Sequence, residues 1–452
     1  MIDAFEAAYP GIRINAMIEG VSEGDAGSLV IADVAAAPDI YCFAQDQLAG
    51  LVQAGALAGP TGDIAAAVKA ENDASSVAAA SLAGNLYAYP MTSDNGYFMY
   101  YDKSIISEED AESLEAIIAA CEANNVKFRY ALENSWYTAS FFFGAGCHST
   151  WTTNEHGEFT SVDDNFNSNL GLIAMKGMQK LAKSPCYDSN ADVFTDAGVV
   201  ITGVWNAWAA AEHFGENLGA TDLPSFEVDG KSYHIGSFSG NKLMGVKPQA
   251  DAEKADVLAL LAQWLTNEEN QIKRYEQFNF GPSNLKAQTS PAVQSDISLA
   301  ALLKQNNYAQ PQGRIHGAWW DIARRLGAAA RDAASEDDLK AALAEYDAVI
   351  QGLFGMSEAE KNAWSVIGSI CGSSWDVDFP MYEVEPGVYL SDVMELHAGE
   401  EFKVRKGGNW DVNFGAAELN GPNFVVEKDG VYRVKLVWDG GQNGTVSLVP
   451  VE

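Results

Sequence analysis

Apolar residues follow two periods along this chain, and the period switches repeatedly. Val199, Val200 and Ile201 form an unbroken β-branched run that suits a buried strand. Gly203 interrupts it, and residues 205–213 take up a helical pattern. Trp205 therefore stands where a strand meets a helix, either as a flat face for a ligand or as a plug over the strand end. Trp208, three residues on, reads as a helix-packing residue. The first sixty residues read helix, strand, helix, strand, helix. The first helix stops at Pro10-Gly11, 12–18 alternates as a strand, 24–34 is a helix, 38–43 a short buried strand, and 45–54 a helix closed by Gly55. Residues 97–101 are all aromatic or Met, which predicts a strand covered on both faces.

Further on, helices are predicted over 113–123, 136–143 and 170–183, a strand over 128–132, and a polar irregular stretch over 150–168. Strands at 232–239 and 242–246 precede helices over 251–265, 268–278 and 319–334. Ser335 opens one more as a capping residue. Alternating strands and helices predict sheets with helices on their faces. The pattern changes near Gly355. From Trp364 on, short strands are separated by Gly, Asp and Pro, as in a β-sandwich. Within it, Trp375-Asp376-Val377-Asp378-Phe379-Pro380 is echoed by Trp410-Asp411-Val412-Asn413-Phe414-Gly415, read as two similar strand starts.

At 452 residues the chain holds several domains with ample core material. A formal charge of −34 excludes nucleic acid and anionic membranes as favoured partners. No apolar run is long enough to span a bilayer, and Met1 leads straight into an amphipathic helix rather than a signal peptide. The five cysteines form no CxxC and no zinc-like spacing; Cys147 with Cys186 is a candidate disulfide, buried free thiols the alternative. No phosphate loop, HExxH or GxSxG occurs, and no cofactor or metal is implied. Carboxylate pairs such as Asp376 with Asp378, or Glu133 with Asp94, could be nominated for glycoside hydrolysis, but so acidic a chain offers many pairs by chance.

Sugar-binding chemistry is better represented. A sugar presents an apolar C–H face and a rim of hydroxyls, so its site needs flat aromatics beside carboxylates, amides or guanidinium groups. Such neighbours occur at Phe43/Gln45/Asp46, Asp94/Asn95/Tyr97, Glu133/Trp136/Tyr137, Trp205/Asn206 and Arg314/Trp319/Trp320.

Several stretches in order carry a family resemblance. They are Gly240-Asn241-Lys242-Leu243-Met244-Gly245-Val246, the helix after it, Asn267-Glu268-Glu269-Asn270-Gln271, and Phe280-Gly281-Pro282-Ser283-Asn284. Pro38-Asp39-Ile40, Phe43-Ala44-Gln45-Asp46-Gln47-Leu48 and Gly84-Asn85-Leu86-Tyr87-Ala88-Tyr89-Pro90 add to them. Residues 1–357 thereby resemble the extracellular solute-binding proteins of sugar ABC importers, in particular the maltodextrin type. The resemblance implies an α/β periplasmic-binding-protein fold of two lobes closing on ligand by hinge motion. It also implies a monomer, anchored outside the cell, that delivers maltooligosaccharide to ABC transporter permease subunits. Phe43 stands where that type carries a stacking Trp, and Asp46 keeps a sugar-binding acid; Gln47 replaces a basic residue. Asp94, Glu133 and Tyr137 fall in segments that contact hydroxyls and rings. Trp205 and Trp319 match two stacking positions, angled to select curved α-glucans, with Trp320 beside the latter. The family's first strand has no counterpart after Met1.

Residues 361–452 resemble the starch-binding, immunoglobulin-like modules of the SusE/SusF type. The matching runs are 367–375, Phe379-Pro380-Met381, 396–405 and 410–415. This resemblance implies Trp375 and Trp410 as a sugar platform, with Lys403 or Arg405 donating to hydroxyls. Phe402 and Val404 would face inward, and Lys403 and Arg405 the other way. The whole reads as a non-catalytic protein binding maltooligosaccharide and starch, with a cell-surface starch-capture protein not coupled to transport, or a glycan-active enzyme, as the alternatives.

Overall fold

The computed structural model describes residues 1–353, 362–408, 410, 412–416, 419–441 and 443–451. It divides into two compact units. The first comprises Met1–Gly24, Ile40–Ala49 and Ala58–Phe354; the second comprises Asp25–Asp39, Gly50–Leu57 and Gly355–Glu452. The expected boundary, between 357 and 361, lies outside the described residues.

The first unit is an α/β structure built on two sheets. The smaller sheet runs Ile40–Ala44, Lys242–Val246, Tyr89–Thr92, antiparallel throughout. The larger has five strands in the order Leu218–Thr221, Phe98–Asp102, Ala197–Thr202, Lys127–Arg129, Tyr187–Asp188. The β-branched run is the centre of that sheet and is buried along its whole length. It pairs antiparallel with Phe98–Asp102 and parallel with Lys127–Arg129. One face packs on Tyr97, Phe128, Phe141, Leu326 and their neighbours; the other packs on Phe98, Tyr100, Val204 and Phe214. Both faces being covered explains why the strands carry apolar residues without alternation.

Local signals set most helix ends. Asp251 caps Ala252–Leu265 by accepting from Glu253 and Lys254 N–H, and Asn267 caps Glu268–Phe278 through Asn270 N–H. Ser335 and Asp338 form a capping box on Glu336–Gly352. Ser135–Ala145 ends at Gly146 with φ +96°, the left-handed geometry that favours glycine.

Four expectations need correction. Residues 12–18 form no strand: Met17 and Ile18 are exposed, and no ladder partner stands beside them among the described residues. The stretch 150–168 is not irregular but holds a hairpin, Ser149–Thr153 with Phe159–Asp164. Cys147 and Cys186 are not bonded. Cys186 instead lies in hydrogen-bond contact with Cys121, while Cys147 faces Ser168. Trp208 does not pack; it is 64% exposed.

The second unit is dominated by nine strands joined in one sheet, its central path running Met394–Leu396, Gly430–Trp438, Val388–Ser391, Phe379–Glu385, Trp364–Gly368, Glu401–Lys406, Asn413–Phe414. Trp364, Val366, Phe402, Val404, Phe414, Val434 and Leu436 form its core. The helix Glu23–Ala32 lies largely in this unit, and Asp33 just beyond it accepts the Asn423 backbone N–H at 3.2 Å.

Candidate functional site

Three segments, 93–97, 237–241 and 309–314, run side by side where the two lobes of the first unit join. Ser237–Ser239 pairs parallel with Ala309–Pro311. Asn95 N–H donates to Gly240 O at 3.0 Å, and Gln312 N–H to Ser239 O at 2.8 Å. A chain of amides continues sideways: Asn95 Nδ2 donates to Gln312 Oε1 at 3.0 Å, and Gln312 Nε2 to Asp46 Oδ1 at 2.7 Å. Gly240 lies under this chain, where a Cβ would stand 2.9 Å from Gln312 Oε1. A cavity of about 520 Å³ opens here, lined by Gln45, Asp94, Asn95, Asn241, Gly240 and Arg314. That is within the range of small-molecule sites.

Asp46 is 4% exposed. Burial lifts its carboxyl to about 7, against the opposing pull of backbone N–H, Arg314 and the Trp320 indole N–H. Arg314 spans this corner, donating to the carbonyls of Gln45 (3.1 Å), Ala79 (2.8 Å) and Ser81 (2.7 Å). Burial lowers its guanidinium to about 10. Asp46, Gln312, Arg314 and Trp320 thus form one polar group with an aromatic edge.

A second group forms around Trp205. Its indole lies against the Gly203 backbone, where a Cβ would fall 2.1 Å from the ring. Trp136 stands 5.8 Å away, centroid to centroid, and itself packs on Tyr97 and Tyr137. From the other lobe comes Lys242, whose Nζ is 5.0 Å from the Trp205 ring and 4.7 Å from Phe280. Lys242 pairs with Glu23 at 2.8 Å. Burial works to raise the Glu23 carboxyl, but the Lys242 charge and hydrogen bond prevail and hold it low. Asp94, 1% exposed, accepts Gly281 N–H at 2.6 Å; burial raises its carboxyl against the charge of Lys242.

The structure places the expected residues unevenly. Asp46 with Trp320, and Asp94 and Tyr137 with Trp205, fall into these two groups. Phe43 does not: it is fully buried in strand Ile40–Ala44 against Tyr41 and offers no face to a ligand. Trp319 is equally buried, its indole N–H donating to Tyr346 Oη at 2.8 Å between Phe166 and Phe238. It is a core residue, so the expected pairing of Trp205 with Trp319 across a cleft fails. Trp320 remains half-buried beside it. Glu133 is half-buried and engaged in an ion pair with Arg331. Lys242, Glu23, Phe280 and Gln312 escaped the sequence reading as site residues, whereas Trp136 was named there with Glu133 and Tyr137.

In the second unit, Trp375 and Trp410 are half-buried with centroids 6.2 Å apart and planes at 42°. Arg405 lies 4.8 Å over Trp410 and is held by Asp378 through its Nε at 2.9 Å. Arg405 therefore stands with these two rings. Lys403 does not: it is 1% exposed, faces Asp33, and burial lowers its ammonium to about 8. Its side of the strand is covered too, so alternation did not expose it.

No group of residues able to hold a metal ion occurs among the described residues, and no described helix is long and apolar enough to cross a membrane. A galactooligosaccharide-binding protein of Bacillus subtilis (strain 168) is 24% identical over 234 residues, 48% of this chain and 54% of that protein. The chain thus spans about half the length of the curated relative it matches. A structure solved with acarbose superposes with a TM-score of 0.68 at 29% identity, covering 77% of this chain and 92% of the other. The maltodextrin-binding protein MalE1 of L. casei BL23, solved without ligand, gives 0.66 at 22% identity, covering 77% and 94%. These likenesses fit the two-lobe periplasmic-binding-protein fold. Residues 1–301 match the family described as bacterial extracellular solute-binding proteins, and the chain belongs to that family.

Proposed function

We propose that this chain is a non-catalytic oligosaccharide receptor whose first unit captures maltooligosaccharides, α-1,4-glucans from starch, for ABC import. The observation that carries the reading is Trp205. Its indole lies flat on Gly203 at the carboxyl end of the central strand, the usual ligand position in open α/β sheets. Asp94 and Asp46 stand in the neighbouring groups as buried hydroxyl acceptors. The second unit would act as an immunoglobulin-like starch-binding module through Trp375, Trp410 and Arg405, raising the local concentration of glucan near the cleft. A second reading is favoured by the B. subtilis relative: the ligand would be a galactooligosaccharide.

Calorimetry of the full chain with maltotriose and with a β-galactooligosaccharide separates the two, and adsorption to granular starch tests the module. Saturable heat with maltotriose, lost in Trp205→Ala while starch adsorption persists, is the expected result. Saturable heat with the galactooligosaccharide alone replaces the substrate, and heat with neither overturns the sugar assignment. Glucan shortening by the pure protein would make it an enzyme. Starch adsorption unchanged in a Trp375→Ala, Trp410→Ala double variant removes the module's proposed site.

A further inference from the structure

Resting on the reading of Trp205 as a sugar platform, we propose that Lys242 caps that platform and that a sugar must displace it to bind. One face of the indole is closed by Gly203. Over the ring, Lys242 Nζ stands 5.0 Å from the centroid. Phe280 flanks the ammonium at 4.7 Å, and Glu23 holds it at 2.8 Å. The lysine side chain is 4% exposed, so it rests in this aromatic box rather than in solvent. Stacking on Trp205 uses the surface that the ammonium covers, and both contacts draw on the same π face. A pyranose with an apolar C–H face can replace the cation there.

Lys242 belongs to the smaller sheet and Trp205 follows the central strand of the larger, so the cap is also a contact across the cleft. The lysine therefore sets affinity by competition. A partly desolvated cation–π contact is worth roughly a two- to thirtyfold change in a binding constant.

The test is calorimetry with maltotriose on wild type, Lys242→Ala and Glu23→Gln. Removing the cap is expected to tighten binding by roughly two- to thirtyfold, with Glu23→Gln, which frees the ammonium, moving affinity the same way by less. Unchanged or weaker binding in both variants overturns the proposal. A measurement without sugar keeps it separate from the function assigned above. By NMR, the Lys242 ε-methylene protons should be shifted upfield by ring currents in the wild type and relax toward random-coil positions in Trp205→Ala. If maltotriose fails to bind wild type, the functional reading falls and this shift alone decides the cap. Random-coil positions in wild type overturn it.

Discussion

Replacing Asp46 by Asn should stabilise the protein, and should do so only above mildly acidic pH. The carboxyl is 4% exposed, and burial moves it from 3.8 to about 7. The folded chain therefore holds this proton more tightly than the unfolded chain. Between about pH 4 and pH 7 the folded state binds more protons, so stability falls as pH rises through that window. Below it the group costs nothing; above it the full cost of the buried charge is present. A tenfold change in proton affinity is worth about 1.4 kcal/mol, so the shift corresponds to roughly 4 kcal/mol at most. Asn keeps the shape and an acceptor oxygen for Gln312 Nε2, now 2.7 Å from Asp46 Oδ1, and carries no charge. Urea unfolding of both proteins at pH 4, 6 and 8 isolates the effect, because every other titrating group cancels in the difference. The two should agree at pH 4, and the Asn variant should lead by about 1–4 kcal/mol at pH 8. Parallel stability curves from pH 4 to 8 would refute the argument. At pH 8, where Asp46 is charged, the same change should weaken maltotriose binding by about tenfold, through loss of a charged hydroxyl acceptor.

The two tryptophans at matched positions should separate cleanly. Trp205→Ala should lower sugar affinity at least about thirtyfold in calorimetry. Trp319→Phe should lose about 1–3 kcal/mol in urea unfolding, from the lost indole N–H donor to Tyr346 Oη and the smaller buried ring, while Tyr346 still donates to Asp164 and affinity is unchanged. Gly327→Ala, whose Cβ would lie 1.7 Å from Leu132 O, should destabilise the helix Gly317–Asp332 by at least about 2 kcal/mol, read as a lower midpoint in thermal unfolding. Mild oxidation followed by peptide mapping should link Cys121 to Cys186 and leave Cys147 free, because the Cys186 contact and burial raise the Cys121 thiol while the Cys121 and Ser184 contacts hold the Cys186 thiol low.

Local signals were legible where local physics decides. The run Val199-Val200-Ile201 could only be buried, and Asp251, Asn267 and Ser335 cap the helices their positions announce. The alternation at 12–18 misled because a strand also needs a neighbour to pair with, which no window of sequence contains. Trp319 and Trp320 are adjacent on one helix and differ by about 100° in direction; only the docking of that helix on Phe166 and Phe238 decides which one enters the core. Lys242 was hidden inside an apolar strand, since its role comes from Glu23 and Trp205, each far away in sequence. Lys403 was misjudged because alternation assumes one solvated face, and here Asp33 and its segment cover it.

Gly203 fixes more than one ring. With no side chain beneath it, Trp205 rests directly on the backbone at the end of the most buried strand in its sheet. Any larger residue there would tilt the indole, so that half of the cleft is a rigid anvil that mutation can break but not adjust. The opposing half is built from Lys242, Glu23 and Phe280, three side chains from three separate segments, each replaceable without disturbing the strand. A change of sugar preference in this chain should therefore arise by exchange of those three residues, with Gly203 and Trp205 left as they are.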